Sequence, residues 1–454
     1  MVQHGLGASL SLTRSTAWST RVPFRLGSSS SLPRFRSTTT TTSQHKIAAD
    51  HLRHPAFADL EDRLAEELPC FRTRADECVR VLYEPREFYH TLIDKISNAK
   101  RRIFLASLYV GKEETQLVST LHSALKANPS LRVVILTDYL RSTREHPLPC
   151  SASLLASLHA AFPHQVDLRL FHTPALNGWT RKVVPKRFNE GWGLQHMKVY
   201  GVDDDVIISG ANLSRDYFTN RQDRYISFDH HPPFADFFSS LVDTVSLSSY
   251  RVVARDTSSE HPEISIEWPD SNPFPCAPFD RPHLVPSFTY ETSEAIKRLV
   301  REWNAKDWTR LASPLPPFST TSTTTSSDSR SPIPHEAPST TTTTTTPSSP
   351  DPSNPASLRA NPPSPIRSRS TRSLYQSYDT SLTPLLQMAP FSISHETSLV
   401  VPSIFRCANQ LATAPGGNET TIDWTSGYFG LRRSYKELVL ETKAKIRIVS
   451  ASPE

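Results

Sequence analysis

A chain of 454 residues with a net charge of +5 has room for two domains, and no run of it approaches 18 consecutive apolar residues. The charge suits a phosphate-bearing partner without demanding nucleic acid. The five cysteines, Cys70, Cys78, Cys150, Cys276 and Cys407, are odd in number and form no C-x-x-C pair, which argues against a zinc cluster or a disulfide framework and for reduced thiols.

From Met1 to Ala49 there is no Asp or Glu, while Arg14, Arg21, Arg25, Arg34, Arg36 and Lys46 are scattered among serines and threonines. That is the composition of a mitochondrial transit peptide, so residues 1–49 are expected to be a disordered import signal. Residues 50–312 read as a first domain. Helices are predicted at Phe57–Leu68 and Pro85–Lys100, then a buried strand at Arg102–Val110. A helix at Thr115–Ala127, a strand at Leu131–Thr137, a helix at Ser151–Phe162 and a strand at Val166–Phe171 follow. This alternation predicts an α/β fold with helices on the faces of a sheet. Two short strands, Lys198–Gly201 and Val206–Gly210, flank a turn at Asp203-Asp204-Asp205. A strand at Arg224–Phe228 and helices at Pro233–Leu247 and Ser293–Trp308 complete the domain.

Residues 313–372 are almost entirely Ser, Thr and Pro, with an unbroken threonine run from Thr340 to Thr346, and are expected to be a disordered linker. Patterning resumes in 373–454, with a strand ending at Thr425–Phe429, a helix at Ser434–Thr442 and a strand at Lys445–Ser450.

The chemistry concentrates at His196-Met197-Lys198, with Asp203 five residues after the lysine, a spacing of H-x-K-x4-D. A neutral imidazole can attack phosphorus. A lysine two residues on in an extended segment points the same way and can hold the oxygen that gains charge at the transition state. Asn212 and Ser214, in Gly210-Ala211-Asn212-Leu213-Ser214, add neutral donors. Such a site acts on a phosphodiester with no metal and no cofactor. The blander alternative is a surface hairpin with an incidental His and Lys. Asp203, directly after a strand, fits a structural turn better than a proton donor. Arg141 and Arg144 follow a strand at a sheet edge, and Arg181, Lys182, Lys186 and Arg187 lie among Trp179, Phe188 and Trp192. Both clusters are candidate phosphate sites or solvated basic loops.

With its H-x-K-x4-D and Gly-x-Asn-x-Ser, the chain resembles the phospholipase D superfamily. Thr137-Asp138-Tyr139-Leu140-Arg141, the run Asn189 to Lys198, Asn220 to Tyr225, and Thr425 to Phe429 are similar to the mitochondrial phosphatidylglycerophosphate synthases in particular. The resemblance covers roughly 57–308 and 385–454. It implies a phospholipase D-like mixed sheet flanked by helices, in two pseudo-symmetric halves. It also implies transfer of a phosphatidyl group from CDP-diacylglycerol to glycerol 3-phosphate with release of CMP, on the way to phosphatidylglycerol and cardiolipin. The catalytic set it implies is His196, Lys198, Asp203, Asn212 and Asp223, with Asp223 as the carboxylate that orients the histidine. Ser214, Arg141, Arg144, Arg181 and Lys182 are the implied substrate contacts. The expected setting is peripheral contact with an anionic membrane, the mitochondrial inner membrane, with no nucleic acid.

The family carries one H-x-K in each half, and this sequence has one in all. In 373–454 the only histidine is His395, followed by Glu396-Thr397. The second half is therefore expected to be incomplete, and the 454 residues alone are expected to be inactive unless a second copy lends its His196. The competing readings are a phospholipase D-like phosphodiesterase on lipid or nucleic acid, and a catalytically inactive fragment.

Overall fold

The structure, a computed structural model, describes residues 9–14, 55–185, 189–256, 260–306, 378–414, 420–426 and 430–450. The Ser/Thr/Pro segment 313–372 lies outside the described residues, as does 1–49 apart from a strand, β1 (Ser9–Arg14).

The ordered chain begins with α1 (Pro55–Glu67), β2 (Phe71–Thr73), the short α2 (Ala75–Cys78) and β3 (Val79–Leu82). Helix α3 (Pro85–Ser97) starts with Pro85 in its first turn, where the missing N–H costs nothing. Strand β4 (Arg102–Ala106) is buried beyond its first residue, as a central strand covered on both faces must be. Then come α4 (Thr115–Ala127), β5 (Arg132–Asp138), the four-residue α5 (Tyr139–Ser142), α6 (Ser151–Ala161), β6 (Val166–Phe171) and α7 (Gly178–Val183). Strands β7 (Val199–Val202) and β8 (Asp205–Ser209) form the hairpin, and α8 (Arg215–Thr219) leads to β9 (Tyr225–Phe228). Helix α9 (Pro232–Ser246), β10 (Tyr250–Ala254), β11 (Ile264–Glu267) and α10 (Val285–Asn304) follow.

Nine of these strands make one mixed sheet, in the order β11-β10-β6-β5-β4-β7-β8-β9-β3. Its centre, β4, β5 and β6, is parallel, and every other pairing is antiparallel. The crossovers through α4 and α6 leave the two helices packed together, and α3 joins α4, as crossovers of one hand require. Helix α9 covers the other face with Phe234, Phe237, Phe238, Leu241, Val242 and Val245, and α10 packs on it. The fold is thus α/β, a mixed sheet flanked by helices.

The later residues start on the same scaffold. Strand β12 (Thr380–Leu382) pairs antiparallel with β2, and Phe391, after β13 (Gln387–Met388) and before β14 (Ile393–Ser394), packs edge-on against Phe171. Helix α11 (Val401–Thr413), β15 (Thr420–Ser426), α12 (Arg433–Glu441) and β16 (Lys445–Ser450) then build a second small core around Phe405, Ile422, Trp424 and Tyr435. Strand β1 pairs antiparallel with β15, and β15 pairs parallel with β16. The β15-α12-β16 unit repeats the parallel strand-helix-strand form of β4-α4-β5. The sequence repeats with it, since Ser107-Leu108-Tyr109-Val110-Gly111 follows β4 in sequence and Ser426-Gly427-Tyr428-Phe429-Gly430 starts at the last residue of β15.

Several expectations change in extent. Strand β4 stops at Ala106 rather than Val110: Ser107 N and Leu108 O still bond to Leu136 O and Asp138 N of β5, at 3.1 Å each, but by Val110 the chain has turned to bridge the 211–214 loop at Leu213. The Ser107 hydroxyl accepts from Leu213 N at 3.4 Å, and Gly111 N donates to Leu213 O at 2.8 Å. Helix α10 begins at Val285, eight residues before the predicted start, with Pro286 tolerated in its first turn. Strands β2, β3 and β10 to β14 and helices α2, α5, α7, α8 and α11 were not anticipated, nor was β1, which falls in a segment expected to be disordered.

Candidate active site

Strands β4, β5 and β6 end, β7 begins, β8 ends and β9 begins along one edge of the sheet, because β7 runs antiparallel to β4 and β9 to β8. In open α/β sheets this carboxyl edge is where ligands bind. It gathers residues far apart in sequence: Ser107 to Tyr109 after β4, Asp138 and Arg141 after β5, His172 after β6, His196 and Lys198 before β7, Asn212 and Ser214 after β8, and Asp223 before β9.

His196 is exposed at this edge, whereas Lys198 is 5% exposed. The Lys198 ammonium donates to the carbonyl of His196 at 2.9 Å, so the motif closes on itself. Burial pulls the Lys198 pKa down to about 7, against the pull of Asp223 and Asp138 toward the charged form. Asn212 is 3% exposed, and its Oδ1 is buried with no hydrogen-bond partner among the described residues. Natural structures keep such orphans few, and they concentrate where function needs them. Asp223 accepts at Oδ1 from the amides of Gly210 at 3.1 Å and Arg224 at 2.6 Å. A Cβ on Gly210 would stand 2.4 Å from that oxygen, so only glycine lets the carboxylate sit against the β8 exit.

Ser214 stands at the residue before α8 without a side-chain cap bond, and its hydroxyl lies 3.4 Å from that of Tyr109. The Arg141 guanidinium stacks 4.7 Å over the Tyr109 ring. Arg144 is half-buried in the following loop. Arg181, on α7, binds both Asp280 oxygens at 3.0 Å and lies 5.6 Å over Tyr139, while Lys182 is exposed. Lys186, Arg187 and Phe188 lie outside the described residues. Trp179 is 72% and Trp192 46% exposed.

Asp203 lies elsewhere. It sits at the opposite end of β7, roughly 15 Å from Lys198 at the usual rise per residue. There, at φ 52°, its carboxylate accepts from the amides of Lys100, Arg101 and Arg102 at 2.9, 2.8 and 3.1 Å, and it closes the β7–β8 turn. The structure brings together His196, Lys198, Asn212, Ser214, Asp223 and Arg141, and not Asp203.

Two residues at the edge escaped the sequence reading. Tyr109 touches both Ser214 and Arg141; its signal was the S-x-Y-x-G shared with Ser426 to Gly430. Asp138 is fully buried, accepting from the amides of Arg141 and Gln195 at 3.0 Å each. In the sequence it stood only within Thr137 to Arg141, a segment of the family resemblance, with no role assigned.

No protein-family model matches the chain. Among curated proteins it is 48% identical over 227 residues to the CDP-diacylglycerol–glycerol-3-phosphate 3-phosphatidyltransferase of Schizosaccharomyces pombe, covering 48% of this chain and 45% of that one. The Saccharomyces cerevisiae protein of the same name is 51% identical over 205 residues, 45% of this chain and 38% of its own. The mitochondrial Gallus gallus protein of that name is 34% identical over 384 residues, 83% of this chain and 58% of its own. The chain is homologous to these phosphatidyltransferases. It spans about half their length. Among solved structures, phosphatidylserine synthase of Haemophilus influenzae is 26% identical, with a TM-score of 0.35 over 43% of each chain. The phospholipase D family member Nuc of Salmonella typhimurium is 17% identical, with a TM-score of 0.30 over 39% of this chain and 98% of its own.

Proposed function

We propose that the chain acts in phosphatidyl transfer from CDP-diacylglycerol to glycerol 3-phosphate, with His196 as the reacting imidazole. The observation that carries this is the sheet edge, where His196 stands exposed beside a buried Lys198 and a buried Asn212 whose Oδ1 has no partner among the described residues. A ring nitrogen of His196 attacks the phosphorus that bears the diacylglycerol. A P–N bond forms, the P–O bond to CMP breaks, and CMP leaves. The glycerol 3-phosphate hydroxyl then attacks the same phosphorus, the P–N bond breaks, and the hydroxyl proton passes to a base. Lys198 and Asn212 hold the phosphoryl oxygens. Arg141, backed by Tyr109 and Ser214, and Arg144 supply charge for the second phosphate of either substrate. Arg181 and Lys182 stand further out on α7. Asp223 acts through the β8 exit and through the charge of Lys198, and Asp203 has no part in the chemistry. The family pairs two such histidines, and here the second imidazole has to come from outside the single H-x-K motif.

Incubation with CDP-diacylglycerol and labelled glycerol 3-phosphate is the test. Labelled lipid together with CMP is expected. CMP without labelled lipid would make the chain a phosphodiesterase, and neither product would make it an inactive fragment.

Among the described residues no helix is long and apolar enough to cross a membrane. The exposed Trp179, Val183 and Trp192, beside Arg181 and Lys182, support peripheral contact with an anionic membrane, taken here as the mitochondrial inner membrane. Trp179→Ser with Trp192→Ser should weaken binding to cardiolipin-containing vesicles, and Lys182→Ala should cost about 1 kcal/mol on those vesicles and nothing on neutral ones. Unchanged flotation of the variants would remove this edge from the membrane. Residues 1–49 fused to a fluorescent protein should carry it into mitochondria, and a diffuse cytosolic signal would show that the segment is no import address.

A further inference from the structure

We propose that Asp138 is a positioning residue of this site: its carboxylate clamps the segment bearing His196 to the end of β5 and is a buried counter-charge for Lys198. Asp138 is fully buried. Its Oδ1 accepts from Arg141 N, and its Oδ2 accepts from Gln195 N, each at 3.0 Å. The Gln195 side chain adds a second stitch, donating from Nε2 to Leu136 O of β5 at 3.2 Å. The next residue is His196, and the Lys198 ammonium donates back to its carbonyl. A continuous chain of bonds therefore runs from the end of β5 through Gln195 and His196 to Lys198.

A helix cap alone does not explain the residue. Capping the four-residue α5 needs one acceptor, which serine or asparagine supplies in water as well as aspartate does. Here two N–H donors converge on the two oxygens of one carboxyl, and asparagine would turn an NH2 toward one of them. Burying the carboxylate is unfavourable unless charge faces it. Arg141 faces it from α5, and the charge of Asp138 in turn favours the ammonium of Lys198, after that of Asp223. Asp223 faces Lys198 from the loop before β9, while His172 and Arg181 stand beyond Tyr139. Burial pushes Asp138 up to about 7 and Lys198 down to about 7, and the charges around each oppose the shift. The ammonium that Lys198 needs for a phosphate oxygen is held in part by Asp138.

The inference rests on reading His196 and Lys198 as the transfer pair, but its tests need no turnover, so either can fail alone. In the full chain, Lys198 is titrated by competitive labelling with acetic anhydride and mass spectrometry, with exposed Lys126 as the reference. Asp138→Asn and Asp138→Ser are expected to move the Lys198 midpoint down by about one pH unit. Hydrogen exchange in both should show protection lost at the peptide containing Gln195 and His196 and retained in β4 and β6. Folded variants with the wild-type midpoint and wild-type exchange would overturn the proposal. If neither variant folds, Lys198→Met decides. It keeps the buried volume and removes the cation, so the pH at which the Gln195 amide loses protection should rise by about one unit. No rise would overturn the coupling.

Discussion

Replacing His196 by alanine should abolish release of CMP from CDP-diacylglycerol, by at least about 10²- to 10⁴-fold and down to background if the imidazole is the nucleophile. His196 is exposed at the sheet edge, so the substitution removes no core packing and the loss should come with an unchanged thermal midpoint. Lys198 differs in kind. It is buried, and its ammonium is held by the His196 carbonyl and the charges of Asp223 and Asp138. Lys198→Met should lower the rate by about 10²- to 10³-fold, the cost of removing one preorganised donor from a developing oxyanion. Arginine should not restore it, because the planar guanidinium does not fit a space built for a compact ammonium. The sign of the pH dependence follows from burial. The ammonium is the useful form, and with a pKa pulled down to about 7 it is lost as pH rises through that value. Wild-type rate should therefore fall on the alkaline side of about pH 7. CMP release measured from pH 6 to 9 for the wild type, His196→Ala, Lys198→Met and Lys198→Arg checks all of this. A His196→Ala protein that releases CMP at a comparable rate would place the reaction elsewhere.

The residues of this site were unequally legible. His196 and Lys198 could be found because a strand forces alternate residues to one side, so a two-residue spacing is already geometry. Asn212 and Ser214 were legible because the hairpin is local, and β8 returns to the edge that β7 left. Asp203 showed the limit of a motif. The x4 spacing is the length of a strand, and a strand carries its last residue to the opposite edge, where Asp203 binds three amides at the start of β4. Asp138 was invisible for the converse reason. Its second partner, Gln195, is 57 residues away, and only the β4-β5-β6 crossovers bring them together. In the fold, the central elements were readable because apolar runs mark parallel strands. The edge strand β3 and the outer strand β10, one in from the other edge, were not, since each is four or five residues long and carries an arginine, Arg80 or Arg251, within a run too short for a period to register. Helix α10 was readable further back than it was taken, for Phe288, Thr292, Ile296 and Val300 are buried at a spacing of four before Trp303.

Acidification should unfold the protein in part through His172, and His172→Phe should remove that part. His172 is fully buried at the end of β6, with its ring 5.2 Å from Tyr139 and 4.4 Å from Phe279. A carbonyl can only accept, so the 3.0 Å contact of Nδ1 with Thr173 O fixes the proton on Nδ1. Nε2 is left as a bare, buried lone pair with no hydrogen-bond partner among the described residues. Protonating it would bury a charge, and nearby Arg181 adds repulsion. Burial first and Arg181 second hold the pKa down to about 3 against an ordinary 6.5. The unfolded chain takes up the proton at about 6.5 and the folded chain does not. This contribution is therefore complete above pH 6.5 and is lost as pH falls toward 3, at up to about 1.4 kcal/mol per pH unit. Between pH 6.5 and 4.5 the wild type should lose about 2 kcal/mol that His172→Phe retains. Other groups titrate in the same range, among them Asp138, whose raised pKa works in the opposite direction, but they are common to both proteins and cancel in the difference. Urea unfolding at pH 7.0, 5.5 and 4.5 gives that difference directly. Phenylalanine keeps the ring contacts and removes the orphaned nitrogen, so any fixed cost from the lost bond to Thr173 O appears equally at all three pH values. If the gap between the two proteins does not widen on acidification, His172 is either protonated in the native state or solvated there, and the closed aromatic environment around it would have to open.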